Sequence, residues 1–126
     1  MLHVLTPLFK AFQYSKKGII KANQTERALR QEFKVLLFLI VLNIFSLIMI
    51  PSFSILMALS ILIAWLFVIV VELLNTAIEK VADIITLEHH PMIGYAKDLG
   101  SAAVLIALII FLFIVSYIVC IVMKSV

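Results

Sequence analysis

VLLFLIVLNIFSLIMIPSFSILMALSILIAWLFVIVV, residues 35–71, carries no charged side chain. One membrane-crossing helix needs about 20 apolar residues, so this run is too long for one span. Pro51-Ser52 divides it, because the residue before a proline is biased out of the helical region. The reading is therefore one span from about Phe33 to Ile50 and a second from about Phe53 to Val71, its helix continuing to about Thr86. A third apolar run, Leu99 to Met123, supplies another span. The composition agrees: the 126-residue chain is 65% hydrophobic, against about 45–50% for a soluble domain. With a mean hydropathy of +1.25 it lacks the polar coat of a water-soluble fold. The fold class expected is all-α integral membrane, a single domain over 1–126.

The charge is uneven. The net +3 comes from 10 basic and 7 acidic residues, and Lys10, Lys16, Lys17, Lys21, Arg27, Arg30 and Lys34 all precede the apolar run. A nucleic-acid surface would share that imbalance, but the rest of the chain would not stay in water, so anionic headgroups are the expected partner. Residues 1–32 interleave these lysines with Leu5, Leu8, Phe9, Phe12, Ile19 and Ile20 at near-helical spacing. This predicts an amphipathic helix in the membrane interface, with Gly18 as a kink or end and Thr25 as the cap of a helix starting near Glu26. The basic residues follow the first apolar ones and no small-residue cleavage site appears, which argues against a cleaved signal peptide. Lysine and arginine concentrate before the first span and between the second and third, at Lys80 and Lys97. The expected topology is N-terminus and 80–98 loop cytoplasmic, C-terminus outside.

The chemistry-bearing residues cluster at that cytoplasmic edge. In Glu72-Leu-Leu-Asn75-Thr-Ala-Ile-Glu79-Lys80-Val-Ala-Asp83, the residues Glu72, Asn75, Glu79 and Asp83 fall on one helical face. The bland alternative is the solvated end of a helix leaving the membrane. Acidic groups at a membrane boundary nevertheless raise a functional hypothesis, since they are costly unless paired or used. Glu26 and Arg30, one turn apart, would pair as a surface bridge; functionally, Glu26 would share the interface with Glu79 and hold Mg²⁺ jointly with phosphate oxygens. Lys97-Asp98 precede Leu99-Gly100-Ser101-Ala-Ala, small residues that let helices approach. Lys97 reads either as a snorkelling anchor or as a phosphate-binding lysine at a helix start.

Other features are weaker. His3, His89 and His90 read as ordinary loop or terminal residues, and Trp65 as helix packing. Tyr14, Tyr95 and Tyr117 fit an interfacial belt. Cys120, the one cysteine, forms no internal disulfide and reads as an apolar filler. No Walker-type phosphate loop, HExxH or nucleophile elbow occurs.

The chain resembles the prokaryotic diacylglycerol kinase family over about residues 7–123. Val71-Glu72-x-x-Asn75-Thr76-Ala-Ile-Glu79 and Lys97-Asp98-Leu-Gly100-Ser101-Ala-Ala carry the resemblance. Tyr14-Ser15-x-x-Gly18 and Glu26-x-x-x-Arg30-Gln31-Glu32 add to it in the same order along the chain. The resemblance implies a surface helix and three transmembrane helices in a homotrimer, located in the bacterial inner membrane, with active sites shared between subunits. It implies transfer of the γ-phosphate of MgATP to diacylglycerol, giving phosphatidic acid. On it, Glu79 is the base and a metal ligand, Glu26 the partner ligand, and Asn75 and Glu72 order the site and the substrate. Lys97 holds the ATP phosphates and Asp98 fixes Lys97. Tyr14 and Lys17 lie near the nucleotide, Ser15 and Ser101 near the lipid headgroup.

Two positions depart from the family pattern: Pro7 stands where an arginine is frequent, and Tyr95 where a basic residue is frequent. Undecaprenol kinases are relatives with the same metal and ATP residues, and Gly100-Ser101-Ala-Ala favours the diacylglycerol type. A non-enzymatic oligomeric membrane protein would scatter polar groups through its spans, whereas here they gather at one edge.

Overall fold

The computed structural model describes residues 2–85 and 90–125, without the side chains of 2–6. Four helices follow one another: α1 (Leu2–Thr25), α2 (Arg27–Met49), α3 (Ile55–Ile85) and α4 (Pro91–Lys124). The last three are long and apolar enough to cross a membrane. At 1.5 Å per residue, the 31 residues of α3 extend about 46 Å, well beyond a hydrocarbon core of about 30 Å. The surplus is its polar end, from Glu72 onward. The expected end of this helix, Thr86, lies outside the described residues, as does His89.

Local chemistry sets the breaks. Ile50, ahead of Pro51, is extended (φ −115°, ψ 102°) and its N–H donates to Ser46 O at 2.9 Å, ending α2. Glu26 is likewise extended (φ −99°, ψ 120°) and separates α1 from α2. Thr25 does not cap α2 as expected: its hydroxyl lies 3.0 Å from Lys21 O and 2.8 Å from Glu26 Oε1, both behind or beside it. Arg30 does not pair with Glu26 either. Its guanidinium donates to Asn23 O at 3.1 Å and Gln24 O at 2.6 Å, satisfying carbonyls left open at the end of α1. A planar fork suits that task better than an i,i+4 bridge. α1 runs through Gly18 without a break and accommodates Pro7 in its body.

α4 starts about two turns before the expected entry at Leu99. Pro91 occupies its first turn, where a missing N–H costs nothing, after an extended His90. Lys97 therefore sits on a helix, not in a loop, and Lys80 lies on α3 as the extension of that helix to about Thr86 implied. Hydropathy marks where a helix enters hydrocarbon, not where it begins.

α3 is the central helix, packed on α2 and on α4. Leu29, Leu39, Trp65, Val68, Ile69 and Ala107 form the buried core. Trp65 ties the layers together: its Nε1–H donates to Glu32 O of α2 at 3.0 Å, and its ring meets Phe111 of α4 edge-on at 4.9 Å. Along the antiparallel α3–α4 pair, Trp65 meets Phe111, Asn75 approaches Gly100, and Asp83 bonds Lys97, so one register carries the core packing into the polar end. The outward faces are lined with large apolar side chains, as a bilayer or a neighbouring subunit requires. Cys120 belongs to these outward faces and not to the core.

Candidate active site at the polar end of α3

Glu72 and Asn75, 8% and 7% exposed, face inward from α3, while Glu79 is half-buried one turn further on. Asn75 Nδ2–H donates to Glu79 Oε1 at 3.2 Å, an i,i+4 bond that steers the carboxylate. Asn75 Oδ1 is buried without a hydrogen-bond partner among the described residues. It lies against Gly100 of α4, where a Cβ would collide with it. Of the small residues after Asp98, Gly100 is buried at this crossing, whereas Ser101, Ala102 and Ala103 are exposed.

Two ion pairs border this face. Lys97 Nζ donates to Asp83 Oδ1 at 2.6 Å. The carboxylate held by Lys97 is thus Asp83, one turn beyond Glu79, and not the adjacent Asp98, which is exposed. Neighbours in sequence project about 100° apart on a helix and cannot readily meet. Lys80 Nζ lies 3.1 Å from Glu26 Oε1, bringing the α1–α2 junction against α3 one residue past Glu79. The Thr25 hydroxyl and then the Lys80 ammonium stabilise the ionised Glu26 and hold its carboxyl below the ordinary 4.5.

Residues 13–119 match the sequence profile of the family described as Prokaryotic diacylglycerol kinase. The chain belongs to that family. The diacylglycerol kinase of Escherichia coli (strain K12) is 42% identical to it over 105 residues, which cover 83% of this chain and 82% of that protein. That of Helicobacter pylori is 42% identical over 115 residues, covering 85% and 80%. That of Haemophilus influenzae is 42% identical over 113 residues, covering 84% and 86%. The chain is thus a member of a kinase family, and its three apolar helices make it a membrane protein.

The other residues singled out from the sequence stand apart from this face. Tyr14, Ser15 and Lys17 are exposed on α1, with Ser15 Oγ donating to Ala11 O at 3.0 Å. Among the described residues, no hydrogen bond or ion pair joins them to α3 or α4. Three residues given no role from the sequence lie at the site. Asp83 shares the face and is detectable by its spacing. Lys80 is off that face, and only folding reveals its partner. Glu32, whose backbone carbonyl holds Trp65, has Oε2 buried without a hydrogen-bond partner among the described residues.

The donor set bears on Mg²⁺. No group of three or more His, Cys, Asp or Glu capable of holding a metal exists among the described residues. Mg²⁺ usually takes one or two protein carboxylates and completes its shell with water and phosphate oxygens. Glu26 already accepts a cation, the Lys80 ammonium, and Glu79 is presented by Asn75.

Proposed function

We propose that this chain is an ATP-dependent diacylglycerol kinase whose transfer site lies at the membrane–cytosol boundary, on the polar face of α3. One observation carries the reading in a chain of this family: the bond from Asn75 to Glu79, which fixes a carboxylate on the polar extension of an apolar helix. There it can meet a lipid hydroxyl on one side and a nucleotide on the other.

In the reaction, the primary hydroxyl oxygen of diacylglycerol attacks the γ-phosphorus of ATP. The bond from that phosphorus to the β–γ bridging oxygen breaks, ADP leaves, and the hydroxyl proton passes to Glu79. Phosphoryl transfer asks mainly for positioning and charge neutralisation. Mg²⁺, when bound, supplies part of that neutralisation, with Glu26 and Glu79 as its protein ligands. Asn75 orients Glu79, and Glu72 lines the lipid side. Lys97 contacts the phosphates after release from Asp83, with Asp98 nearby. Tyr14 and Lys17 on α1 reach the nucleotide, and Ser15 and Ser101 reach the lipid headgroup.

Since Tyr14, Ser15 and Lys17 stand away from α3 within one chain, they join the site across a subunit boundary. That is the role of the homotrimer, with α1 lying on the cytoplasmic surface of the bacterial inner membrane. Spans at about 33–50, 53–71 and 99–123 then put the C-terminus outside.

The test is γ-phosphate incorporation by purified protein in mixed micelles, with diacylglycerol or undecaprenol, with and without Mg²⁺. Mg²⁺-dependent labelling of diacylglycerol is expected. Labelling of undecaprenol alone would move the acceptor to the polyprenol class, and labelling of neither would overturn the assignment.

A further inference from the structure

Lys80 is the one basic residue of α3, and the reaction as described gives it no task. Its side chain, 60% exposed, reaches across to the α1–α2 junction and places Nζ 3.1 Å from Glu26 Oε1. That carboxylate is the one assigned to the metal. An ammonium group on a carboxylate oxygen occupies the place a divalent cation would take. An exposed pair of this kind is worth little net stability and exchanges readily.

Lys80 also has a neighbour on its other side. It is three residues, about one turn, from Asp83 and acts on it through Coulomb attraction, while Asp83 is bonded to Lys97 of α4 at 2.6 Å. Glu26, Lys80, Asp83 and Lys97 thus form a string of alternating charge across three segments of the chain. Two ammonium groups flank a single carboxylate. A polyphosphate, with several anionic oxygens in a row, fits that arrangement better than one carboxylate does.

We propose that Lys80 is a second polyphosphate-binding residue of this enzyme, and that its bridge to Glu26 exchanges when the metal–nucleotide complex binds. The cation takes over Glu26, and Lys80 swings to the phosphate oxygens that accompany it. Glu26 and Lys80 each keep an opposite partner throughout the exchange. The proposal rests on the kinase reading, with Glu26 at the metal.

The experiment is equilibrium binding to the full-length protein in detergent micelles, comparing wild type with Lys80→Gln and Lys80→Arg. One arm follows Mn²⁺ alone by electron paramagnetic resonance. The other follows the Mg²⁺ complex of a non-transferable ATP analogue without diacylglycerol. Lys80→Gln removes both a competitor for Glu26 and a phosphate contact, so the two affinities move in opposite directions. The expected changes are Mn²⁺ binding tighter by about threefold and analogue binding weaker by about fivefold. Lys80→Arg keeps the charge and brings both back toward wild type. If wild type binds both ligands and Lys80→Gln changes neither, or shifts both the same way, Lys80 is a structural bridge and the proposal fails alone. If wild type does not bind the nucleotide complex, the kinase reading fails and takes the proposal with it.

Discussion

Gly100 of α4 packs against Asn75 of α3 so closely that a Cβ would fall on Asn75 Oδ1, with Asn75 Cγ at 3.3 Å and Cα at 3.8 Å. The glycine therefore sets the distance between two helices at the point where Asn75 turns its amide toward Glu79. The side chain of Asn75 is trapped between a backbone it cannot leave and a carboxylate it must hold.

Gly100→Ala is consequently a conservative change with a large expected effect. Adding one methyl to a filled contact costs about 1–3 kcal/mol. Here the displaced group is Asn75, so phosphoryl transfer should fall more than stability. Kinase rate and the midpoint of denaturation in micelles, measured together, check this; unchanged rate with unchanged midpoint would remove Gly100 from the site.

Asn75→Ala leaves Glu79 without its donor and opens space beside Gly100. Misplacing a reacting group by about 1 Å can cost roughly 10²-fold in rate. The expected loss is of that order in kcat, with membrane insertion unchanged. The double variant Asn75→Ala with Gly100→Ala should be less than additive, because the clash disappears with the asparagine side chain.

How far the sequence carries is visible at particular residues. The break at Pro51 and the extension of α3 past Val71 are legible, because proline geometry and the onset of charge act locally. The face through Glu72, Asn75, Glu79 and Asp83 follows from helical spacing alone. The start of α4 at Pro91 is hidden, since the charged pair Lys97-Asp98 interrupts the apolar pattern and hydropathy places the span only after it. The pairings of Glu26 with Lys80 and Lys97 with Asp83 are also hidden. Spacing offers only partners on the same helix, and these bridges form between segments brought together by packing around Trp65.

Trp65→Phe should loosen α2 from α3. The variant keeps an aromatic ring against Phe111 but loses the donor to Glu32 O, a part-buried bond at 3.0 Å. That carbonyl keeps the N–H of Leu36 as its partner within α2, so the loss is one hydrogen bond, about 0.5–1.5 kcal/mol. A lower denaturation midpoint with an unchanged KM for ATP is the expected outcome.

Glu26 gives the fold a dependence on acid. Its carboxyl is held below the ordinary 4.5, first by the Thr25 hydroxyl and then by Lys80. A carboxylate depressed in the folded state contributes stability that is present above its unfolded value and lost as pH falls through the folded one. Wild type should therefore be only slightly more stable than Glu26→Gln near neutral pH, since an exposed pair contributes little. That difference should shrink below pH 4.5 and close once the folded Glu26 is protonated. Thermal denaturation of both proteins across that range provides the check.

The measurement that bears most directly on the proposed chemistry is the rate of phosphate transfer to diacylglycerol by Glu79→Gln. Glutamine keeps the size of the side chain and a hydrogen-bonding oxygen for Asn75, but it accepts no proton and carries no charge. The account predicts a loss of about 10²–10⁴-fold, the usual worth of a positioned acid–base group, in protein that still inserts and assembles like wild type. Transfer by Glu79→Gln at the wild-type rate would contradict it.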